Sequence, residues 1–236
     1  MDNVGDNIDA ANASWTFSGD VVKTFDSHIK KSVPMYDESH ILGSHISDHF
    51  ISIGGNIVDI GSSTGTFLKK VADRHSKDDL KFIGYEIEND MVNKSKANTN
   101  KDKRVKILCE DIISAAIPKS CFISSFYTLQ FISQSNRQSL VDKIYSSLNW
   151  GGGFLLFEKV RAPDARFQDL TTSLYTEFKL SNGFSEKEIV GKTRSLKGIL
   201  EPFSSQGNID MLKRAGFLDI MTVMKHINFE GFLCIK

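Results

Sequence analysis

From residue 56 to residue 159 the chain alternates short apolar runs with amphipathic stretches of helical period. The apolar runs predict strands at 56–60, 81–86, 105–110, 121–129 and 153–159, and the stretches between them predict helices at 66–74, 89–98 and 136–148. Such a βαβ rhythm describes a parallel sheet with helices on both faces. The trio Gly151-Gly152-Gly153, after Leu148-Asn149-Trp150, reads as the stop of one helix and the start of the next strand. Beyond Lys159 three amphipathic helices follow at 167–180, 185–197 and 208–215, the last stopped by Gly216. Two closing strands, 220–225 and 228–235, are joined by a tight turn. A hairpin cannot consist of two adjacent parallel strands, so one of this pair runs antiparallel to the rest.

Ahead of the sheet, Phe25, Ile29, Val33, Ile41, Leu42, Ile46 and Phe50 recur at helical spacing. Pro34 divides this stretch into two helical pieces, with Ser32 and Asp37 as local caps. The opening MDNVGDNIDAANAS is polar and acidic, without the hydrophobic core of a signal peptide. Residues 1–20 therefore read as a flexible tail, and 21–236 as a single domain carrying a helical insertion at about 163–200.

Charge and cysteine content narrow the function classes. Lys+Arg and Asp+Glu balance at 29 each, so no global field draws in nucleic acid or an acidic membrane, although a local basic patch stays open. No apolar run reaches the length of a membrane span. Cys109, Cys121 and Cys234 are odd in number, far apart and set in apolar runs, which reads as buried free thiols rather than a disulfide framework or a zinc site. A cytoplasmic enzyme or small-molecule-binding protein fits these observations. Of the four histidines at 28, 40, 45 and 49, the pair His45 and His49 has the spacing of a helical metal pair, but no third ligand accompanies it. A solvated helix face is the reading, and no metal is expected.

The chemistry concentrates at Asn56-Ile57-Val58-Asp59-Ile60-Gly61-Ser62-Ser63-Thr64-Gly65. A buried strand running through a glycine turn into a helix N-terminus holds a nucleoside, and glycine lets backbone and ligand approach closely. Glu86 closes the second strand at the interval where a nucleotide fold places a carboxylate that accepts from both ribose hydroxyls. Asp111 follows the third strand, where it can accept from an exocyclic amine while Ile112 packs on a base face; an N-cap of a short helix accounts for Asp111 equally well. NAD and S-adenosylmethionine both use a ribose carboxylate. The loop spacing here is G-x-x-x-G with serines in the middle, not the G-x-G-x-x-G that passes a pyrophosphate, and this favours S-adenosylmethionine.

Asp59-Ile60-Gly61-Ser62-Ser63-Thr64-Gly65, Glu86, Glu110-Asp111-Ile112 and Tyr127-Thr128-Leu129-Gln130-Phe131 resemble the class I S-adenosylmethionine-dependent methyltransferases. Longer strings, Ser32-Val33-Pro34-Met35-Tyr36, Asp142-Lys143-Ile144-Tyr145, Glu158-Lys159 and Asn228-Phe229-Glu230-Gly231-Phe232, resemble the carboxy-S-adenosylmethionine synthase group, whose members make a carboxylated cofactor for tRNA wobble-uridine modification. The resemblance runs from about Phe25 to the C-terminus. It implies a Rossmann-like fold of seven mostly parallel strands with one antiparallel strand, preceded by N-terminal helices, and it implies a homodimer. It also implies cofactor contacts at Tyr36, in the loop from Asp59 through Gly61, Ser62, Ser63 and Gly65, at Glu86-Ile87, at Asp111-Ile112, and at position 126.

Two positions depart from the group. Phe126 stands where the synthases carry asparagine, and Thr193 where they carry the arginine that binds the added carboxylate, with Arg194 one residue later. One residue on a helix is about a hundred degrees of rotation, so Arg194 serves only if the register shifts. Burying an unpaired carboxylate is costly. The sequence therefore favours methyl transfer from S-adenosyl-L-methionine to an anionic small molecule over carboxy-S-adenosyl-L-methionine synthesis from prephenate. A non-catalytic S-adenosylmethionine-binding subunit is a third reading. Tyr36, Tyr127 and Glu158 are candidate bases by location only, and Arg161, Arg166 and Arg194 are candidates for holding the anion.

Overall fold

The computed structural model describes residues 2–6, 8–51, 55–77 and 79–236. Two short strands, β1 (Asp2–Asn3) and β2 (Asp9–Ala10), precede helices α1 (Asp20–Ser32) and α2 (Tyr36–Ser47). Then come β3 (Asn56–Ile60), α3 (Thr66–Arg74), β4 (Lys81–Glu86), α4 (Asn89–Thr99), β5 (Val105–Cys109), β6 (Ser120–Phe126), α5 (Gln134–Ser147) and β7 (Leu148–Lys159). The chain closes with α6 (Ala165–Ser181), α7 (Glu186–Ser195), α8 (Ser205–Ala215), β8 (Asp219–His226) and β9 (Phe229–Ile235). Seven strands form one sheet in the order β5-β4-β3-β6-β7-β9-β8. The pairs from β5 through β7 are parallel, whereas β9 is antiparallel to both β7 and β8. β9 is thus the single antiparallel strand expected from the terminal hairpin.

Period-two burial sorts the sheet's side chains onto two faces. Val58, Ile60, Ile123, Phe154, Leu156 and Phe232 pack with Leu140, Ile144, Met211 and Leu212 of α5 and α8. On the other face Ile57, Phe82, Phe122, Leu155 and Phe157 pack with Phe67, Leu68 and Val71 of α3 and with Ile46 of α2. Helix α5 ends before the glycine trio, and β7 begins at Leu148, so Gly151 to Gly153 lie inside a strand whose register with β6 shifts beside them.

The expected flexible tail is corrected over its described residues. Met1 and Asn7 lie outside them, but β1 pairs with β2, and Val4, Ile8, Ala10 and Trp15 are buried with Val21, Phe25 and Met91. The segment then pairs along the end of α7, where Ala13 N donates to Arg194 O at 3.0 Å and Trp15 N to Ser195 O at 3.1 Å. A few apolar side chains spaced along a polar segment suffice to anchor it once α1 and α7 offer a surface. His28 and His40 are likewise buried rather than solvated, whereas His45 and His49 are exposed as expected. Cys109 is exposed on the edge strand β5, against the expectation of three buried thiols.

Candidate cofactor site

Strand order reverses between β3 and β6, and ligands of open α/β sheets sit beyond the carboxyl ends of the strands at that point. A cavity of about 440 Å³ lies there. The end of β3 lines it with Asp59, and the loop leaving β3 with Gly61, Ser62 and Ser63. Gly61 N and Ser62 N both donate to Tyr85 O at 2.9 Å, which ties the loop to β4. Gly61 has φ 71 and Gly65 has φ 76, the region that glycine enters without penalty. A Cβ at Gly61 would run into the Thr128 side chain, and one at Gly65 into Ser95. Ser63 itself has φ 49, a strained conformation for a residue with a side chain.

Glu86 holds this loop as well as facing the cavity. Its Oε2 accepts from Ser63 N at 2.8 Å, and Oε1 accepts from Ile87 N at 2.8 Å and Glu88 N at 3.0 Å. A carboxylate offers about four acceptor positions, so capacity for a ribose hydroxyl remains. Burial raises the Glu86 pKa against the pull of those backbone donors. Asp111 accepts from Ile113 N through Oδ1 at 2.9 Å in a turn, not at the start of the short helix that an N-cap would serve, and among the described residues no hydrogen bond to Oδ2 is seen. Ile112 is buried and Ile87 exposed, and both line the cavity with Asp111. Ser62 Oγ is buried with no hydrogen-bond partner among the described residues. The donor set fits S-adenosylmethionine: acceptors for ribose and adenine amine, an apolar base face, and a turn of backbone with room for no side chain.

Asp59 is buried at 3% exposure, and its Oδ1 accepts from Ser124 Oγ at 2.7 Å. Desolvation pushes its carboxyl up to about 7 despite that bond. Tyr36 and Tyr127 line the cavity with ring centroids 6.1 Å apart. Burial drives both phenols far above the usual tyrosine range. Glu158 lies outside the cavity wall, where it accepts from Leu129 N at 3.0 Å and Gln130 N at 2.8 Å, so its role is structural. Phe126 lines the cavity, stacked on Phe157 at 4.9 Å between centroids and 8° between planes, with His40 and Phe67 also against it.

The arginine candidates turn elsewhere. Arg194 pairs with Asp2 at 3.1 Å, Arg161 Nε donates to Pro202 O at 3.1 Å, and Arg166 lies over Phe167; none lines the cavity. The cations that do line it are Lys159, at the end of β7, and Lys192, in the last turn of α7. Sequence reasoning quoted Lys159 only within a string and passed over Lys192. Nothing but position one residue before Thr193 could have pointed to it.

Residues 57–152 match the model of a methyltransferase domain. A carboxy-S-adenosyl-L-methionine synthase of Staphylococcus epidermidis is 35% identical over 224 residues, covering 94% of this chain and 97% of that protein. The chain belongs to the carboxy-S-adenosyl-L-methionine synthase family. A synthase from Nautilia profundicola is also 35% identical, with 94% of each chain covered. The fold is shared with Haemonchus contortus phosphoethanolamine N-methyltransferase 2, solved with S-adenosylhomocysteine, at TM-score 0.64, 14% identity, and coverage of 91% of this chain and 56% of that one. Human N-acetylserotonin methyltransferase, solved with S-adenosylmethionine, gives TM-score 0.56 at 16% identity, covering 94% and 60%. Membership of the synthase family makes the chain an S-adenosylmethionine-dependent transferase. Among the described residues no helix is long and apolar enough to cross a membrane.

Proposed function

We propose that the protein makes carboxy-S-adenosyl-L-methionine from S-adenosyl-L-methionine and prephenate. The observation that carries this reading is Lys192 in the cavity wall, one residue before Thr193. The sequence argued against the synthase because no cation met the added carboxylate, and Lys192, with Lys159, offers amino groups that burial discharges in part and that a bound anion recharges. Full-length similarity to synthases supports the same reading. Bound S-adenosylmethionine supplies a sulfonium-activated carbon. The chain's part is to hold and shield it: Glu86 takes the ribose, Asp111 and Ile112 the base, and the aromatic wall of Tyr36, Phe126 and Tyr127 excludes water.

The second reading is methyl transfer to an anionic small molecule, favoured by Phe126. A phenyl ring stacked on Phe157 makes none of the hydrogen bonds of an asparagine. Incubation with S-adenosylmethionine and prephenate, followed by mass spectrometry, decides between them. The carboxylated cofactor accumulates if the synthase reading holds. Bound S-adenosylmethionine without carboxylated product sinks it in favour of methyl transfer. The family resemblance also supports a cytoplasmic homodimer, and the exposed row Phe167, Leu170 and Leu174 on α6 gives apolar surface for one. Light scattering of the purified protein tests the dimer.

A further inference from the structure

The loop that leaves β5 carries Asp111, Ile112 and Ile113 into the cavity wall, and Lys143 of α5 holds that loop from outside the cavity. Its Nζ donates to Ile112 O, to Ile113 O at 3.0 Å and to Ala115 O at 2.8 Å. An ammonium has three N–H donors, so three carbonyls saturate it. On its other side the loop winds onto Asp111. Ser114 N and Ala115 N donate to Asp111 O at 3.1 and 2.9 Å, and Ile113 N donates to Asp111 Oδ1 at 2.9 Å. The peptide unit between Ile112 and Ile113 belongs to both sets of bonds. Its C=O faces Lys143 and its N–H faces the carboxylate, as the opposed directions of the two groups in a trans peptide allow. Ammonium, peptide and carboxylate thus form one polarised series in which each bond strengthens the next. Two further bonds, Tyr85 Oη to Ala116 O at 2.7 Å and Ser147 Oγ to Ile117 O at 3.2 Å, hold the far end of the loop without reaching Asp111.

We propose that Lys143 is a positioning residue for purine recognition: through the Ile112–Ile113 peptide it fixes Asp111 Oδ1 and so leaves Oδ2 set to accept from the exocyclic amine of adenine. The inference rests on the reading that Asp111 and Ile112 take the base of the cofactor. Lys143 itself lies outside the cavity wall, so its effect on the base travels through Asp111 and the loop. Burial lowers the Lys143 pKa, and the Asp111 carboxylate raises it in part, which couples the two charges by the same route as the hydrogen bonds. A carboxylate held in one orientation discriminates between bases. It accepts from the amine of adenine, but it meets the oxygen that hypoxanthine carries in that place acceptor against acceptor. A carboxylate free to rotate loses that distinction.

Calorimetric titration with S-adenosylhomocysteine and with its hypoxanthine analogue, S-inosylhomocysteine, tests the assignment. The wild-type protein prefers the adenine ligand by about ten- to hundredfold. Lys143→Met brings that preference to within about threefold, and the loss falls on the adenine ligand while the analogue binds as before. Lys143→Gln keeps two donors for the loop without the charge, so it folds where the methionine variant does not, and it loses about threefold of the preference. Ser147→Ala loosens the far end of the loop, lowers Tm and keeps the wild-type preference. In an Asp111→Asn background Lys143→Met changes the preference no further, since the two residues act as one unit. Equal weakening of both ligands in the two Lys143 variants makes Lys143 a structural clip and overturns the proposal. The same loss of preference in Ser147→Ala, or a further loss in the Asp111→Asn background, overturns it as well. A wild-type protein that binds the two ligands equally sinks the reading of Asp111 as the acceptor for the amine instead, so the two failures are distinguishable.

Discussion

Replacing Glu86 by glutamine tests the cofactor site at its most connected atom pair. The carboxylate serves two groups of donors at once, with Ser63 N on Oε2 and the Ile87 and Glu88 amides on Oε1. Glutamine has one carbonyl oxygen, so its NH₂ faces one of these groups, donor against donor, in a buried setting. A hydrogen bond to a charged group is worth about 1.5–3 kcal/mol, which puts the loss of S-adenosylmethionine affinity at roughly ten- to hundredfold. Calorimetry at pH 7.5 reads that loss directly, and the ligand-free variant shows a lower Tm because the loop loses an acceptor too. The raised pKa of Glu86 adds a second readout. Acidification protonates the carboxyl, so wild-type affinity falls as pH drops through its titration, and the glutamine variant lacks that fall. Affinity within about twofold of wild type would refute the assignment of Glu86 to the ribose.

Gly61→Ala forces a side chain into a left-handed conformation and into Thr128, so it destabilises the fold by roughly 2 kcal/mol or more and abolishes cofactor binding; Thr128→Ala in the same chain restores part of both, and no recovery in a double-mutant cycle would refute the close approach. Asp59, with a folded pKa of about 7 above its unfolded value, contributes stability that is lost as pH rises from about 4 to about 7. Asp59→Asn keeps an acceptor for Ser124 without the charge, so its Tm advantage over wild type is larger at pH 8 than at pH 5; equal differences at the two pH values count against a desolvated Asp59. Trp150 is 88% exposed and Trp15 only 7%, so the Trp150→Phe variant reports on the N-terminal segment alone. Its emission is blue-shifted and resists acrylamide, whereas red-shifted, fully quenched emission would restore the mobile tail.

The sheet was legible because its strands carry their burial in short apolar runs and its turns carry glycine, which is local information. The short turn set the last two strands antiparallel to each other, and the pairing of β9 with β7 decided which of them opposes the rest. The shape of the glycine loop was legible for the same reason, since Gly61 and Gly65 stand where the backbone turns left-handed and Glu86 where it receives the loop's amides. What failed was decided by tertiary neighbours. The segment holding Val4, Ile8 and Trp15 is polar on average, and its few apolar residues acquire meaning only against α1 and α7. Lys192 looks like any helical lysine until Trp15 covers its ammonium, and Arg194 looks like an anion ligand until Asp2 claims it.

The place of β9 has a consequence for how the protein is made. The last strand in the sequence is not at the rim of the sheet: it lies between β7 and β8, with Phe232 and Cys234 fully buried. During translation β7 therefore emerges with an unpaired edge beside Phe154, Leu155, Leu156 and Phe157, and β8 has no strand to join until Phe229–Ile235 arrive. At about 5–20 residues per second, the stretch between β7 and β9 takes several seconds to synthesise, and the edge of β7 stays exposed for that interval. A chain cut short before Phe229 would then carry two sticky edges, a substrate for chaperones and proteases.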